Sequence, residues 1–529
     1  MVNRPPHGHK PKMMTSTAQR LILRGSTSAA LGFVIRLGAR LLFVFIAGRL
    51  FGVALFGAFS IAVAVVELAV TIGGAGMKRQ LFKLLDEGHH LRSPPHIVID
   101  GVVLVFAASV LCIAPIMLAV AFAPASLIAG NTATALFLLA PMILGQSLLD
   151  LLLAATRWTH KMRHQVWARS IIEPYAGVVA SWLAWAAGYQ TTGLIIGYWA
   201  GTIAAVVYSL IGARRCLGPF SLGTYRIGPA HFAQIVRETA LPTLSDCANA
   251  LAGRLDLYLV GAFLGESAAG IYGMARQIRT PIRQVRQSFD SLLTPIVSKT
   301  LTFAGPVQTG QATASAVRLI LSIQLPVLIA LFVVGAPLLR LIGPEFAAGY
   351  WAMLMLGATE GIQGAYGVSD LIFFYRRPHL ILWITAVGAA VNFVAALPLI
   401  ARYGVNGAAL AALLGAAAAA LTRRWFLRSS FGIAVPLHHS AAPILAAAAG
   451  VIAALGLMTL PLIDPIRYGV SLIAGLAIYW AVLRVVVRLT GESLALSHFV
   501  THASDVSRAT DDKSDRSYSA PHRSPPGSG

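Results

Sequence analysis

Apolar stretches alternate with short polar ones along almost the whole chain, and each apolar stretch is long enough to cross a bilayer as a helix, which takes roughly 20 residues at 1.5 Å rise. Fourteen such spans are predicted, at 26–49, 53–76, 97–121, 133–155, 170–188, 192–212, 238–263, 268–295, 317–340, 348–374, 380–400, 404–421, 441–460 and 468–489. The polar connections between them leave no room for a large soluble domain. The pattern predicts an all-α polytopic membrane protein with about 14 transmembrane helices, a polar N-terminal tail over 1–24 and a Ser- and Pro-rich, disordered tail over 490–529. Segment 1–24 runs directly into a full-length span without a short apolar core and a small-residue cleavage site, so it reads as a retained signal anchor.

Composition agrees. Of 529 residues, 57% are hydrophobic and only 12% charged, against roughly 25% charged in a soluble domain. The formal net charge of +21 raises nucleic acid as a partner, but the basic residues sit mostly in short loops beside spans, so no nucleic-acid partner is expected. Loops 77–96, 156–169, 213–237, 297–318, 376–379 and 422–439 together hold nineteen Lys or Arg, whereas the intervening loops hold Arg340, Arg402 and Arg467, with Arg49 at a span edge. That alternation is the positive-inside pattern; it predicts a multi-pass protein of the cytoplasmic (inner) membrane with both termini cytoplasmic.

An internal repeat is legible. "LFGVALFGAFSIA" (50–62) lies on "FLGESAAGIYGMA" (263–275) without gaps, so that Gly52 meets Gly265, Gly57 meets Gly270, Phe59 meets Tyr272 and Ala62 meets Ala275, all at an offset of 213 residues. Six spans separate the copies, so the repeats are parallel, as in transporters that rock two halves about a midplane site.

Charges inside the spans carry the chemistry. At about 100° per residue, Arg276, Arg279, Arg283, Arg286 and Asp290 share an arc of about 80° on one helix face. Each arginine near a helix centre costs about 2.5–3.5 kcal/mol on insertion scales, so the stripe is expected to face a hydrated cavity rather than lipid. Asp290, one turn after Arg286, neutralises one guanidinium and leaves an excess of positive charge, which points to an anionic ligand. Arginine's planar fork suits phosphate, and Arg36 and Arg40 of the first span, with Arg254 of the seventh, are expected to join the same lining between the lobes and hold a diphosphate. The plainer alternative is an interfacial helix whose arginines snorkel to headgroups.

Embedded acids are candidates for ion coupling: Glu67, Asp246, Asp256, Asp290, Glu360 and Asp370, with Glu173 a further embedded acid. For Asp256, two residues from Arg254, a structural pair with that arginine is the commoner role for an Arg and Asp so close. The histidine clusters at His89, His90 and His96 and at His438 and His439 lack metal-ligand spacing, so no metal site is expected. "GGAGMK" (73–78) lacks the spacing and hydroxyl of a P-loop, so no ATPase and no cofactor is expected. Cys112, Cys216 and Cys247, odd in number and in or beside spans, imply no disulfide framework.

"LFGVALFGAFSIA", "RLDLYLVGAFLGESAAGIYGMARQIRTPI" with "LLTPIVS", and above all "NFVAALPLIARYGVNGAALAALL" (392–414) resemble the oligosaccharide flippases, or polysaccharide-export proteins, of the MATE-like MOP superfamily. The resemblance covers about residues 20 to 490. It implies two six-helix lobes in a V plus two C-terminal helices: an N-lobe over 25–213, a cytoplasmic linker over 214–237, a C-lobe over 238–430 and appended spans over 431–489. It also implies a non-enzymatic flippase that moves undecaprenyl-diphosphate-linked oligosaccharide for exopolysaccharide, O-antigen or capsule synthesis. Membrane lipids, and the polymerase and chain-length proteins of the pathway, are the further partners implied. The arginine-rich eighth span exceeds what a typical member carries and suits a more acidic sugar unit. The rival functions are a peptidoglycan-precursor flippase, a membrane polymerase or ligase of the same pathway, and a cation exporter. The short outer loops offer few groups for acid–base chemistry, and the arginines disfavour cations.

Overall fold

The computed structural model describes residues 12–88, 93–122, 130–159, 161–220, 229–287, 305–377, 379–436 and 438–489. Among the described residues the regular structure is helical throughout, with no strand. That follows from the solvent: inside a bilayer a backbone must satisfy its own hydrogen bonds, and a helix does so within one segment. In chain order the helices are α1 (Lys12–Gly73), α2 (Met77–Gly88), α3 (Pro94–Phe122), α4 (Gly130–Leu139), α5 (Met142–Trp158), α6 (Arg163–Trp167), α7 (Glu173–Ala186), α8 (Gly193–Leu217) and α9 (Pro229–Ala252). There follow α10 (Leu255–Ile278), α11 (Gly305–Ile342), α12 (Tyr350–Gly367), α13 (Asp370–Arg376), α14 (His379–Phe431), α15 (His438–Met458) and α16 (Asp464–Leu489).

Eight of the described helices are long and apolar enough to cross a membrane, or nine if the bent pair α4 and α5, 44° apart, makes one span. The count of fourteen therefore stays an expectation. Its difference from the observed helices has a physical source in glycine. α1 continues through Gly52 (φ 76, ψ 175), α10 through Gly265 (φ 82, ψ −174) and α14 through Gly404 (φ 57, ψ −130), so each carries two helical stretches joined at a kink. The conformation at Gly52 and Gly265 is one that only glycine adopts readily. These two residues are the aligned glycines of the repeat, and they share one backbone geometry.

The chain divides into two compact units, one of Met1–Phe51 with Val65–Thr243 and the other of Gly52–Ala64 with Leu244–Gly529. Residues 52–64 are thus grouped with the second unit, whereas the lobes drawn from the sequence keep all of 25–213 together. In the first unit, α2 buries Met77, Leu81 and Leu85 against Ile97, Val98 and Leu104 of α3 and Leu151 of α5. Those three residues recur every fourth position, and the opposite face turns Gln80 and Lys83 to Glu238 of α9, at 2.8 and 3.1 Å. In the second unit, α15 and α16 pack on α11 through Ala446, Tyr479, Ile329 and Val333, and the Tyr479 hydroxyl donates to the carbonyl of Ser322 at 3.0 Å.

Also within the second unit, the two repeat copies cross in backbone contact. A Cβ on Gly57 would lie 1.8 Å from the carbonyl oxygen of Glu266, and one on Gly270 would lie 2.0 Å from that of Val53. Val53 and Glu266 are themselves repeat equivalents, so the contact is reciprocal, as at a two-fold axis. Small residues that let membrane helices approach this closely are a recurrent packing device.

Candidate functional site: the arginine helix

The stripe is borne by the helical stretch that follows Gly265 and runs to Gln287, in which α10 ends at Ile278 and Arg279 caps it before the last two turns. Just ahead, the chain breaks: α9 stops at Ala252, and Gly253 and Arg254 form a turn before α10 begins. Such a break leaves carbonyls without their usual amide partners, and in apolar surroundings something else must satisfy them. Arg276 does this. Its Nη2 donates to the carbonyl of Gly253 at 2.9 Å while its Nη1 pairs with the Asp256 carboxylate. Asp256 also accepts from the Tyr272 hydroxyl at 2.5 Å and from the Leu257 amide at 2.9 Å. Tyr272 is fully buried and Asp256 nearly so.

Arg279 is buried as well. Its Nη1 lies 3.4 Å from Glu360 Oε1 of α12 and donates to the carbonyl of Leu356 at 3.4 Å. Arg283, one turn further, is exposed and makes neither hydrogen bond nor ion pair among the described residues, though the Glu360 carboxylate that pairs with Arg279 also acts on it. Half-buried Arg286 rests on Gly367, where a Cβ would come within 3.0 Å of its Nη1. Arg254 is half-buried and donates to the carbonyl of Ala250 at 3.4 Å.

The structure therefore brings Arg276, Arg279 and Arg283 onto one helix, as the periodicity predicts, and adds what the periodicity does not contain: a separate acid for each of the first two. Asp256 and Glu360, read from the sequence as candidates for ion coupling, stand as the counter-ions of Arg276 and Arg279. The excess of positive charge on the stripe is correspondingly smaller than its own residues suggest. Asp290, and with it the expected Arg286–Asp290 pair, lies outside the described residues. Arg40 is half-buried in α1 in the first unit, and Arg36 lies one turn before it. Glu67 is exposed on α1 and Asp246 half-buried on α9. Asp370 is held by Arg423, whose Nε and Nη2 reach its two oxygens at 2.8 and 3.2 Å.

A second polar cluster lies in the first unit, and of its members the sequence reading singled out only Glu173 as an embedded acid. Arg169 donates through Nη1 to Gln146 Oε1 at 2.8 Å and to Glu173 at 3.0 and 3.1 Å, and its Nη2 pairs with Asp150. Gln146 in turn donates to Glu173 at 2.8 Å and to the Thr202 hydroxyl at 2.9 Å, and Lys78 lies 3.7 Å from Asp150. Arg169 sits in a π-helical turn, Ala168–Ile172, not in the basic loop where the sequence placed it. The signal was there: Gln146 and Asp150, and Arg169 and Glu173, are each one helical turn apart. Outside the spans, His164 is buried against Tyr208, and burial, followed by Arg163, Lys161 and Arg215, holds its imidazole below the usual value.

Known structures share this architecture. A lipid II flippase MurJ in an inward-closed conformation matches with a TM-score of 0.71 at 14% identity, over 88% of this chain and 98% of that one. A multidrug resistance MATE family transporter of the MOP superfamily, inward-facing, matches with a TM-score of 0.58 at 13% identity, over 76% of this chain and 98% of that one. A MOP superfamily transporter from Pyrococcus furiosus, described as having a binding pocket of reversed polarity, gives 0.51 at 13% identity, over 76% and 94%. A comparison with curated proteins gives no match. The fold is that of the MOP superfamily, in a multi-pass membrane protein. The family model for polysaccharide biosynthesis proteins matches residues 22–301, more than half of the chain, and the chain belongs to that family.

Proposed function

We propose that the protein is a flippase that carries undecaprenyl-diphosphate-linked oligosaccharide units across the cytoplasmic membrane for a surface polysaccharide. The observation that carries this reading is the basic stripe on a membrane helix: Arg276, Arg279 and Arg283 against Asp256 and Glu360 among the described residues. A surplus of guanidinium in a span is tolerated where water or an anion meets it, and a diphosphate is the anion that a polysaccharide precursor offers. Family membership supplies the pathway. Both termini, and the polymerase and chain-length proteins as partners, belong to the cytoplasmic side and the pathway in this reading. A peptidoglycan-precursor flippase is the second reading, favoured by the likeness to the lipid II flippase.

Vesicles test both. Reconstituted protein should expose an undecaprenyl-diphosphate-linked oligosaccharide from the inner leaflet to a lectin added outside. Exposure of the lipid-linked peptidoglycan precursor alone would transfer the assignment to the second reading, and exposure of neither would sink both.

A further inference from the structure

Three observations divide the stripe. Arg276 spends its guanidinium on the helix break, bridging the Gly253 carbonyl and Asp256, and Tyr272 closes the other side of the same carboxylate. Arg279 is buried against Glu360 and Leu356. Arg283 alone of the three is exposed.

The repeat sharpens the contrast. At the offset of 213, Asp256, Tyr272 and Arg276 correspond to Phe43, Phe59 and Val63 of the first copy, all apolar. That copy is helical without interruption where the second breaks at Gly253 and Arg254. The polar triad thus occurs together with the extra break and is absent where the break is absent. The buried Asp256 carboxylate accepts from the Leu257 amide, the Tyr272 hydroxyl and the Arg276 guanidinium, and the Tyr272 hydroxyl spends its one proton there.

Resting on the flippase reading, we propose that Asp256, Tyr272 and Arg276 are positioning residues that hold the break between α9 and α10 and so aim the arginine helix, and that Arg283 is the residue that meets the phosphate of the lipid-linked substrate. Breaks in membrane helices mark sites where backbone must be fixed by neighbours, and here Tyr272 and Arg276, from the stretch after Gly265, are tied to Asp256 and Gly253 before it, which holds the arginine-bearing stretch against the break. The distinction matters because the periodicity places all these arginines on one face with equal claim.

The test uses the full chain in nanodiscs, with undecaprenyl diphosphate as the probe and undecaprenol as its uncharged control. Arg283→Gln should weaken binding of the diphosphate by about tenfold or more, as expected for a lost charge-assisted contact, with the unfolding temperature unchanged. Arg276→Gln and Asp256→Asn should lower the unfolding temperature and leave the affinity within about threefold. The double variant should be less damaging than the two single effects combined, because each removes the same bridge. Tyr272→Phe, which deletes only a hydroxyl, keeps the test open should the others fold poorly. Affinity lost in Arg276→Gln at an unchanged unfolding temperature, or kept in Arg283→Gln, would overturn the division. Wild-type protein that binds diphosphate and undecaprenol alike would instead overturn the flippase reading on which the division rests.

Discussion

At the residue scale, a guanidinium in a membrane helix is defined less by its own position than by what neutralises it. Arg279 and Glu360 are both nearly inaccessible, and removing one partner of such a pair leaves an uncompensated buried charge, at a cost of about 3–5 kcal/mol. Arg279→Ala and Glu360→Leu are each expected to lower the unfolding temperature sharply, while Arg279→Met combined with Glu360→Leu recovers most of the loss. Additive damage in the double variant, read by thermal unfolding in detergent, would mean that the two do not interact. Arg279→Lys should retain part of the stability, since a single ammonium can still face Glu360 but cannot also cap the Leu356 carbonyl with a rigid fork.

At the element scale, the crossing of the repeat copies rests on Gly57 and Gly270, where neighbouring backbone leaves no room for a methyl group. Backbone cannot yield as a flexible side chain can, so Gly57→Ala and Gly270→Ala should each reduce the fraction of monodisperse protein recovered from the membrane. Gly361→Ala is the control: it lies within α12 with nothing inside 4 Å of its would-be Cβ, and alanine there should be neutral or stabilising by up to about 1 kcal/mol. Equal behaviour of all three in a size-exclusion thermal series would remove the close crossing as a cause. Gly52 and Gly265 show how a sequence alignment becomes a structural statement: the pair found by the 213-residue offset has nearly the same dihedral angles, φ 76 and 82.

At the scale of the whole molecule, charge decides orientation. The basic loops alternate so strictly that reporters fused at Gly130 and at His164 should answer from opposite sides, the first from the periplasm and the second from the cytoplasm. A periplasmic answer at His164 would reverse the topology and with it the direction assigned to transport. How much of this was legible beforehand depends on range. The Arg276-to-Arg283 face was readable because it repeats within one helix, and Glu173 was noticed as an embedded acid. The partners Asp256 for Arg276, 20 residues back, and Glu360 for Arg279, 81 residues on, were not readable, because nothing in a one-dimensional period records which helices become neighbours.

The amino-acid sequence by itself determined that the chain lives in a membrane, that it is helical, that it repeats, and that one helix face is basic, because bilayer length, hydrogen-bond satisfaction and the 3.6-residue turn act locally. Tertiary structure decided which glycines bend a helix rather than end it and which carboxylates answer Arg276 and Arg279. It also decided that Arg169, written in a basic stretch between spans, joins Gln146, Asp150, Glu173 and Thr202 in one polar cluster. Those outcomes depend on contacts between segments far apart in the chain, where burial makes an unpaired charge costly and only packing can supply its partner.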